Sequence, residues 1–350
     1  MESIKTYLDD IESRLIPEQE ETILGQWRVF ARGEWQESFF SPVREKVAPS
    51  KLEWPDININ DAIENDELML VDQFKQVSDT LTAGYGRLLT VRSNFGVGIL
   101  PSLFGSEKFI MPYKHNTLPN VRPMAGGLRD IDRIIAEDVP DLATGFGHDV
   151  FRLGELYEDI YARYPKIAAY VRTDHPDTQG PMDVCELLWG SGIFTALYDT
   201  PDRVHGLLRK VTDTYKTFLG KWFAQNPNKD ELHAYFGSAH LGALCVRDDS
   251  AMNIGPDMCK EFIFPYDQEV FRHFGGGSIH FCGKGDHYVQ FFSEMEGLTA
   301  INMSQPEYND MESIYSSTVD KGIPIIGLGR QSVDDAIGEA RPLRGLVHTA

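Results

Sequence analysis

Cysteine is scarce: Cys185, Cys245, Cys259 and Cys282 are the only four in 350 residues. Scattered like this, they do not supply a disulfide framework; they suit free thiols or a metal ligand in a reducing cytosol. Positive charge is also short, with 33 Lys and Arg against 53 Asp and Glu and a formal net charge of −20. Nucleic acid and anionic membrane surfaces both need a positive face, so neither is an expected partner. No apolar run reaches the roughly 18 residues of a membrane span. The first ten residues, Met1 to Asp10, lack a basic region followed by an apolar stretch, so no secretory signal is read and a cytoplasmic location is expected. There is no repeat, no low-complexity tract and no Gly/Ser linker that would divide the chain.

What is present reads as a folded protein. Hydrophobic residues make up 42% of the chain and charged residues 25%, an ordinary globular balance. Residues 1–80 read as helix and extended connection. Ile4, Leu8 and Ile11 recur at helical spacing, as do the apolar positions of Ile23–Phe30. Pro42, Pro49 and Pro55 then punctuate a loop before a second helical run from about Asp61 to Leu81. From residue 86 onward, short β-branched runs alternate with amphipathic segments. The expected strands are Leu88–Arg92, Ala168–Thr173, Ala234–Ser238, Gly242–Arg247, Gly277–Cys282, Thr299–Met303 and Ile323–Leu328. Helices such as Pro201–Trp222, Pro256–Phe274, Tyr288–Met295 and Met311–Lys321 are expected between them.

This alternation implies parallel strands joined by crossover helices. It suits an α/β fold of the TIM-barrel type: a (β/α)8 barrel over 81–350 with one strand unread, and an N-terminal helical extension over 1–80 packed on it. An open doubly wound sheet is the rival. No Gly-x-Gly-x-x-Gly turn follows the first strand, which weakens a dinucleotide-binding version.

In such barrels catalytic groups stand at the C-terminal ends of the strands. Polar residues collect there on successive units: Arg92 and Asn94; His175, Asp177 and Gln179; Asp248 and Asp249; His280 and Cys282; Asn302 and Gln305; and Arg330. One such cluster is an ordinary loop start, whereas six in succession point to a shared cleft. His280 and Cys282 are the sharpest pair. Two residues apart on a strand, they face the same way, and imidazole nitrogen and thiolate sulfur are preferred zinc ligands. Gly283 and Gly285 permit a tight turn that would carry Asp286 or His287 back towards the same centre. Spacing alone leaves open a buried cysteine beside a hydrogen-bonded core histidine.

The other positions carry the same two readings. Asp249 suits a third ligand or a general base, but paired acids also cap helices. His175 suits an acid–base imidazole, with Asp177 as an acid, or a polar turn. Arg92 and Arg330 suit a substrate carboxylate or neighbouring acids. Asn94, Gln179, Asn302 and Gln305 complete the substrate-binding candidates.

Several segments together resemble the uroporphyrinogen decarboxylase superfamily over nearly the whole chain. They are His175–Asp183, Leu188–Ser191, Leu197–Asp202, Arg247–Asp249, Ile254–Met258, Glu261–Tyr266 and Ile279–Gly283. The last is similar to the branch of zinc-dependent corrinoid and thiol methyltransferases, in which His-x-Cys provides two metal ligands. The resemblance implies a barrel enzyme with zinc at His280 and Cys282. The arginine-rich motif that grips tetrapyrrole carboxylates is missing, so porphyrinogen decarboxylation is not expected. No cysteine follows Cys282, so an oxygen or nitrogen donor must complete the shell, with Asp249, His287, Asp286 and His175 as candidates.

The expected function is therefore a methyltransferase that moves a methyl group between a small methylated compound or thiol and a corrinoid (cobalamin) carrier, with zinc assistance. Two alternatives use the same scaffold. One is a metal-free decarboxylase or lyase acting on a small carboxylate. The other is a non-catalytic partner of a corrinoid protein.

Overall fold

The computed structural model describes residues 3–349; the outermost limits of the two expected segments, at 1 and 350, lie outside it. The fold is mixed α/β. The described residues form nine strands: β1 (Leu89–Arg92), β2 (Lys108–Phe109), β3 (Asn120–Val121), β4 (Val171–Asp174), β5 (Leu232–Tyr235), β6 (Ser238–Leu241), β7 (Leu244–Arg247), β8 (Gly277–Phe281) and β9 (Leu298–Met303). β1 pairs in parallel with β4, and β7, β8 and β9 form a parallel three-stranded ladder. Single parallel bridges continue from Ile301 to Ile325 and from Ile325 to Val347, and another joins Phe40 to His348. Among the described residues the ladders form separate small sheets and no closed ring of strands is found. No helix among them is long and apolar enough to cross a membrane.

Local chemistry explains where the elements differ from the sequence reading. The run from Asp61 divides at Asn65, whose side chain accepts from the Glu67 and Leu68 amides and caps a new helix, Asp66–Ala83. Pro165 opens a helix to Tyr170, so β4 begins only at Val171. The stretch expected as one helix from Pro256 breaks at Ile263, where Pro265 cannot supply an amide to the preceding turn. Ile323–Leu328 keeps only its bridges at Ile325, since Pro324 lacks a donor and Gly327 sits at φ 72°. The largest difference is β5–β6, an antiparallel hairpin where a single strand, Ala234–Ser238, was expected.

Alternation along the strands sorts the side chains. Leu244, Val246, Ile279, Phe281, Ile301 and Met303 enter the main apolar core. Their neighbours Cys245, Arg247, Ser278, His280 and Asn302 take the opposite face. A second, smaller core joins Trp27, Phe30 and Phe40 of the N-terminal segment to Leu232, Ala239, Ala300 and Ile326. That segment is also tied down by a buried ion pair in which Arg44 Nε and Nη2 meet the two Glu20 carboxylate oxygens, each at 2.8 Å.

Candidate metal centre

Strand register brings the site together. Arg247 pairs with His280, and His280 with Asn302, so three polar side chains stand in one row across β7, β8 and β9. Cys282 follows at the end of β8. Asp249 lies just beyond β7, where the Asp183 carboxylate accepts the Asp249 and Ser250 amides at 2.9 and 2.8 Å and fixes that turn. Asp249 Oδ1 in turn accepts the Cys282 amide at 2.8 Å.

Three donor atoms converge. One each from Asp249, His280 and Cys282 lie within 4.8 Å of one another. Cys282 Sγ is 3.3 Å from His280 Nε2, and Nε2 is 3.6 Å from Asp249 Oδ1. Tetrahedral zinc, with bonds of 2.0 to 2.3 Å, requires ligand edges of roughly 3.4–3.6 Å. Two edges of the triad, at 3.3 and 3.6 Å, are close to those lengths, and the third donor pair lies within 4.8 Å.

The imidazole is oriented from behind. Asn302 Nδ2 donates to the Ile326 carbonyl at 2.6 Å, which leaves Oδ1 as an acceptor facing His280 Nδ1 at 2.5 Å. His280 therefore carries its proton on Nδ1, and the Nε2 lone pair faces Cys282 and Asp249. A metal-bound histidine usually donates its other ring N–H to such a partner, which fixes the ring's orientation. Burial lowers the His280 pKa, which favours the neutral ring a metal needs. Burial also pushes the Cys282 thiol up to about 11, so a bound cation is required to hold it as thiolate at neutral pH. Ser304 Oγ lies 3.5 Å from the sulfur.

A cavity of about 490 Å³ opens beside the triad, lined by Asp249, His280, Asn302, Ser304, Asp177 and Arg247 among others. Arg247 Nη1 is 2.8 Å from Asp177 Oδ1, and Gln179 Nε2 donates to the same oxygen at 2.5 Å. Burial raises the Asp177 carboxyl, but Arg247 and Arg92 outweigh it and hold the group below its ordinary range. Arg247 also lies over the Tyr235 ring, 5.2 Å from its centroid.

The expected site residues divide into three groups. Asp249, His280, Cys282, Asp177, Gln179 and Asn302 meet at this cavity or its triad. Arg92 and Asn94 line a smaller neighbouring cavity of about 210 Å³. The remainder are elsewhere. His175 is buried with both nitrogens engaged, Nδ1 at 2.7 Å from the Pro176 carbonyl and Nε2 accepting the Cys245 amide at 3.0 Å. Burial, then Arg247, lowers its pKa to about 3.

His287 turns away to the Ile254 carbonyl, at 3.1 Å from Nε2. Asp286 instead accepts the Asp310 amide at 2.9 Å. The glycine turn is real, with Gly283 at φ 73°, but Gln305 and Asn309 hold its amides and direct it away from the triad. Gln305 thus supports a loop. Arg330 is exposed and bonds Asp334 at 2.9 Å.

Arg247, Ser304 and Asp183 belong to the site or its support and were not singled out from sequence. Arg247 had a readable signal, since it shares strand parity with Cys245 and Asp249. Tyr235 and Phe236 depended on a hairpin the sequence reading lacked. No family model and no curated protein matches the chain.

Proposed function

We propose that this chain is a zinc-dependent methyltransferase of the uroporphyrinogen decarboxylase-like kind, moving a methyl group between a small methylated compound or thiol and a corrinoid carried by a partner. The observation that carries the reading is the Asp249–His280–Cys282 triad, its imidazole fixed by Asn302, at the edge of a cavity of about 490 Å³. In this reading the parallel strands close into a (β/α)8 barrel. Support comes from the β1–β4 pair, the β7–β8–β9 ladder and the bridges that extend it to Ile325 and Val347.

His280 Nε2, Cys282 Sγ and an Asp249 oxygen would hold zinc and leave a fourth position towards the cavity. Bound zinc supplies either a site that keeps a substrate thiol as thiolate or a Lewis acid for the atom that loses its methyl group. The protein's own groups do the rest. Asn302 keeps the proton on His280 Nδ1, so the other nitrogen stays available. Asp177, held ionised by Arg247, offers an acceptor to a substrate N–H or O–H, and Gln179 fixes its rotamer. Ser304 offers a hydrogen bond beside the Cys282 sulfur.

The test combines metal analysis with turnover. Protein purified with zinc present should hold about one zinc per chain, and Cys282→Ser should lose it. The zinc form should demethylate methylcobalamin when a small thiol is supplied. Failure to retain zinc rejects the reading. Decarboxylation of a small carboxylate by the metal-free protein would put a lyase in its place. Zinc and cobalamin binding without methyl transfer would favour a non-catalytic partner.

A further inference from the structure

The β5–β6 hairpin turns through Phe236 and Gly237, between the paired residues Tyr235 and Ser238. Both turn residues have positive φ, 47° and 77°. A two-residue turn of this kind is normally built from Asn-Gly or Gly-Gly. A bulky side chain at its first position is a conformational outlier, and such outliers gather at functional sites. Packing does not account for it: Phe236 is 52% exposed and belongs to neither apolar core.

The ring stands where two cavities meet. It lines the one of about 490 Å³ beside the triad and also the one of about 210 Å³ that runs between β1 and the helix Asp66–Ala83. Beyond the ring this second cavity offers the amides and hydroxyls of Gln73, Gln76, Thr80 and Thr90 to a neutral polar group that reached it. The turn is docked and not free to swing aside. The Gly237 carbonyl accepts the Leu88 amide at 2.7 Å, and a Cβ on Gly237 would come within 3.0 Å of the Arg87 side chain and 3.2 Å of the Leu88 carbonyl. The Arg92 guanidinium lies over the Phe236 ring, 4.4 Å from its centroid, and holds its face.

We propose that Phe236 is the specificity-determining residue of the triad cavity, a fixed end wall that holds the substrate to a compact molecule and keeps its tail out of the second cavity. The wall belongs to the hairpin and stands whether or not zinc binds; only the identity of the reacting end rests on the metal reading above. The strain then has a use. An asparagine at 236 would relax the backbone but open the partition, so local stability is exchanged for a shorter cavity. One methylene more or less in a pocket changes affinity by roughly 10- to 200-fold, which makes such a wall readable from substrate length.

Cobalt(II)-loaded protein reports thiol binding through its sulfur-to-cobalt absorption band. The comparison is 8-mercapto-1-octanol against 2-mercaptoethanol, both uncharged. Phe236→Asn should shift the ratio of the two affinities at least about tenfold towards the longer thiol, and Phe236→Tyr, which keeps a ring, should retain the wild-type ratio. Phe236→Asn should also raise Tm, because Asn-Gly suits the turn. An unchanged ratio in Phe236→Asn overturns the proposal. So does a Tm that falls in both Phe236→Asn and Phe236→Gly, because the ring would then be held for packing.

If cobalt is not retained, the metal reading falls and a metal-free arm decides the wall by itself. Calorimetry on the metal-free proteins should then find that Phe236→Asn binds 1,8-octanediol at least about tenfold more tightly than the wild type. Equal or undetectable binding of the diol by both proteins overturns the wall in that case.

Discussion

Asn302→Leu removes the acceptor behind the metal centre and also the donor to the Ile326 carbonyl, but the second loss falls equally on the metal-free and metal-bound states and cancels in zinc affinity. Without metal, His280 can respond by moving its proton from Nδ1 to Nε2, towards Asp249 Oδ1 at 3.6 Å, so the metal-free protein is spared an unpaired Nδ1 proton. A metal on Nε2 takes that escape away. The proton must then stay on Nδ1, in a residue only 7% exposed, with no acceptor in place of the oxygen 2.5 Å away. An unsatisfied buried donor costs about 1–3 kcal/mol, and here the cost falls on the metal-bound state alone. Zinc affinity should therefore drop roughly 5- to 150-fold, overlapping the roughly 10–100-fold typical when a ligating histidine loses its hydrogen-bond partner. Competition with a chromophoric chelator measures it, with Asn302→Asp as the control that keeps an acceptor at Nδ1. A leucine variant that binds zinc as tightly as the wild type would refute the reasoning, since Asn302 would then not set the imidazole tautomer.

Two further predictions concern the scaffold. Glu20→Ala strands the Arg44 guanidinium, whose side chain is wholly buried, and should cost about 3–5 kcal/mol in urea denaturation. Replacing both partners, Glu20→Leu with Arg44→Met, should recover most of that loss; if it does not, the pair is a net stabiliser and the desolvation argument is wrong. His240 is buried, and burial lowers its pKa to about 4, against about 6.5 in an unfolded chain. The folded form refuses a proton that the unfolded form accepts, so its stabilising contribution is complete above pH 6.5 and is lost as pH falls towards 4. Relative to His240→Leu, wild-type stability should decline by about 1.4 kcal/mol per pH unit across that window. A pH-independent difference between the two proteins would contradict the burial argument.

The residues of the site were legible in proportion to how local their geometry is. His280 and Cys282 share a face because a strand alternates with period two, and no distant contact can change that parity. Helices such as Pro201–Gln225 follow equally from proline placement and apolar spacing. Near-misses came from single residues whose effect reaches only one turn, as Asn65 and Pro265 do.

The sequence by itself determined the acidic α/β character, the alternation of strands and helices, and the His-x-Cys pair, all of which depend on spacing along the chain. Tertiary structure alone decided which of four candidate donors joins that pair. Asp249 does so because the β7–β8 register sets it opposite Cys282 and Asp183 fixes its turn, 66 residues away in sequence. His175, equally promising as a residue type, is taken by the Cys245 amide from another strand. Strand register and hydrogen bonds across such separations are set by packing of the whole chain, so no local pattern encodes them.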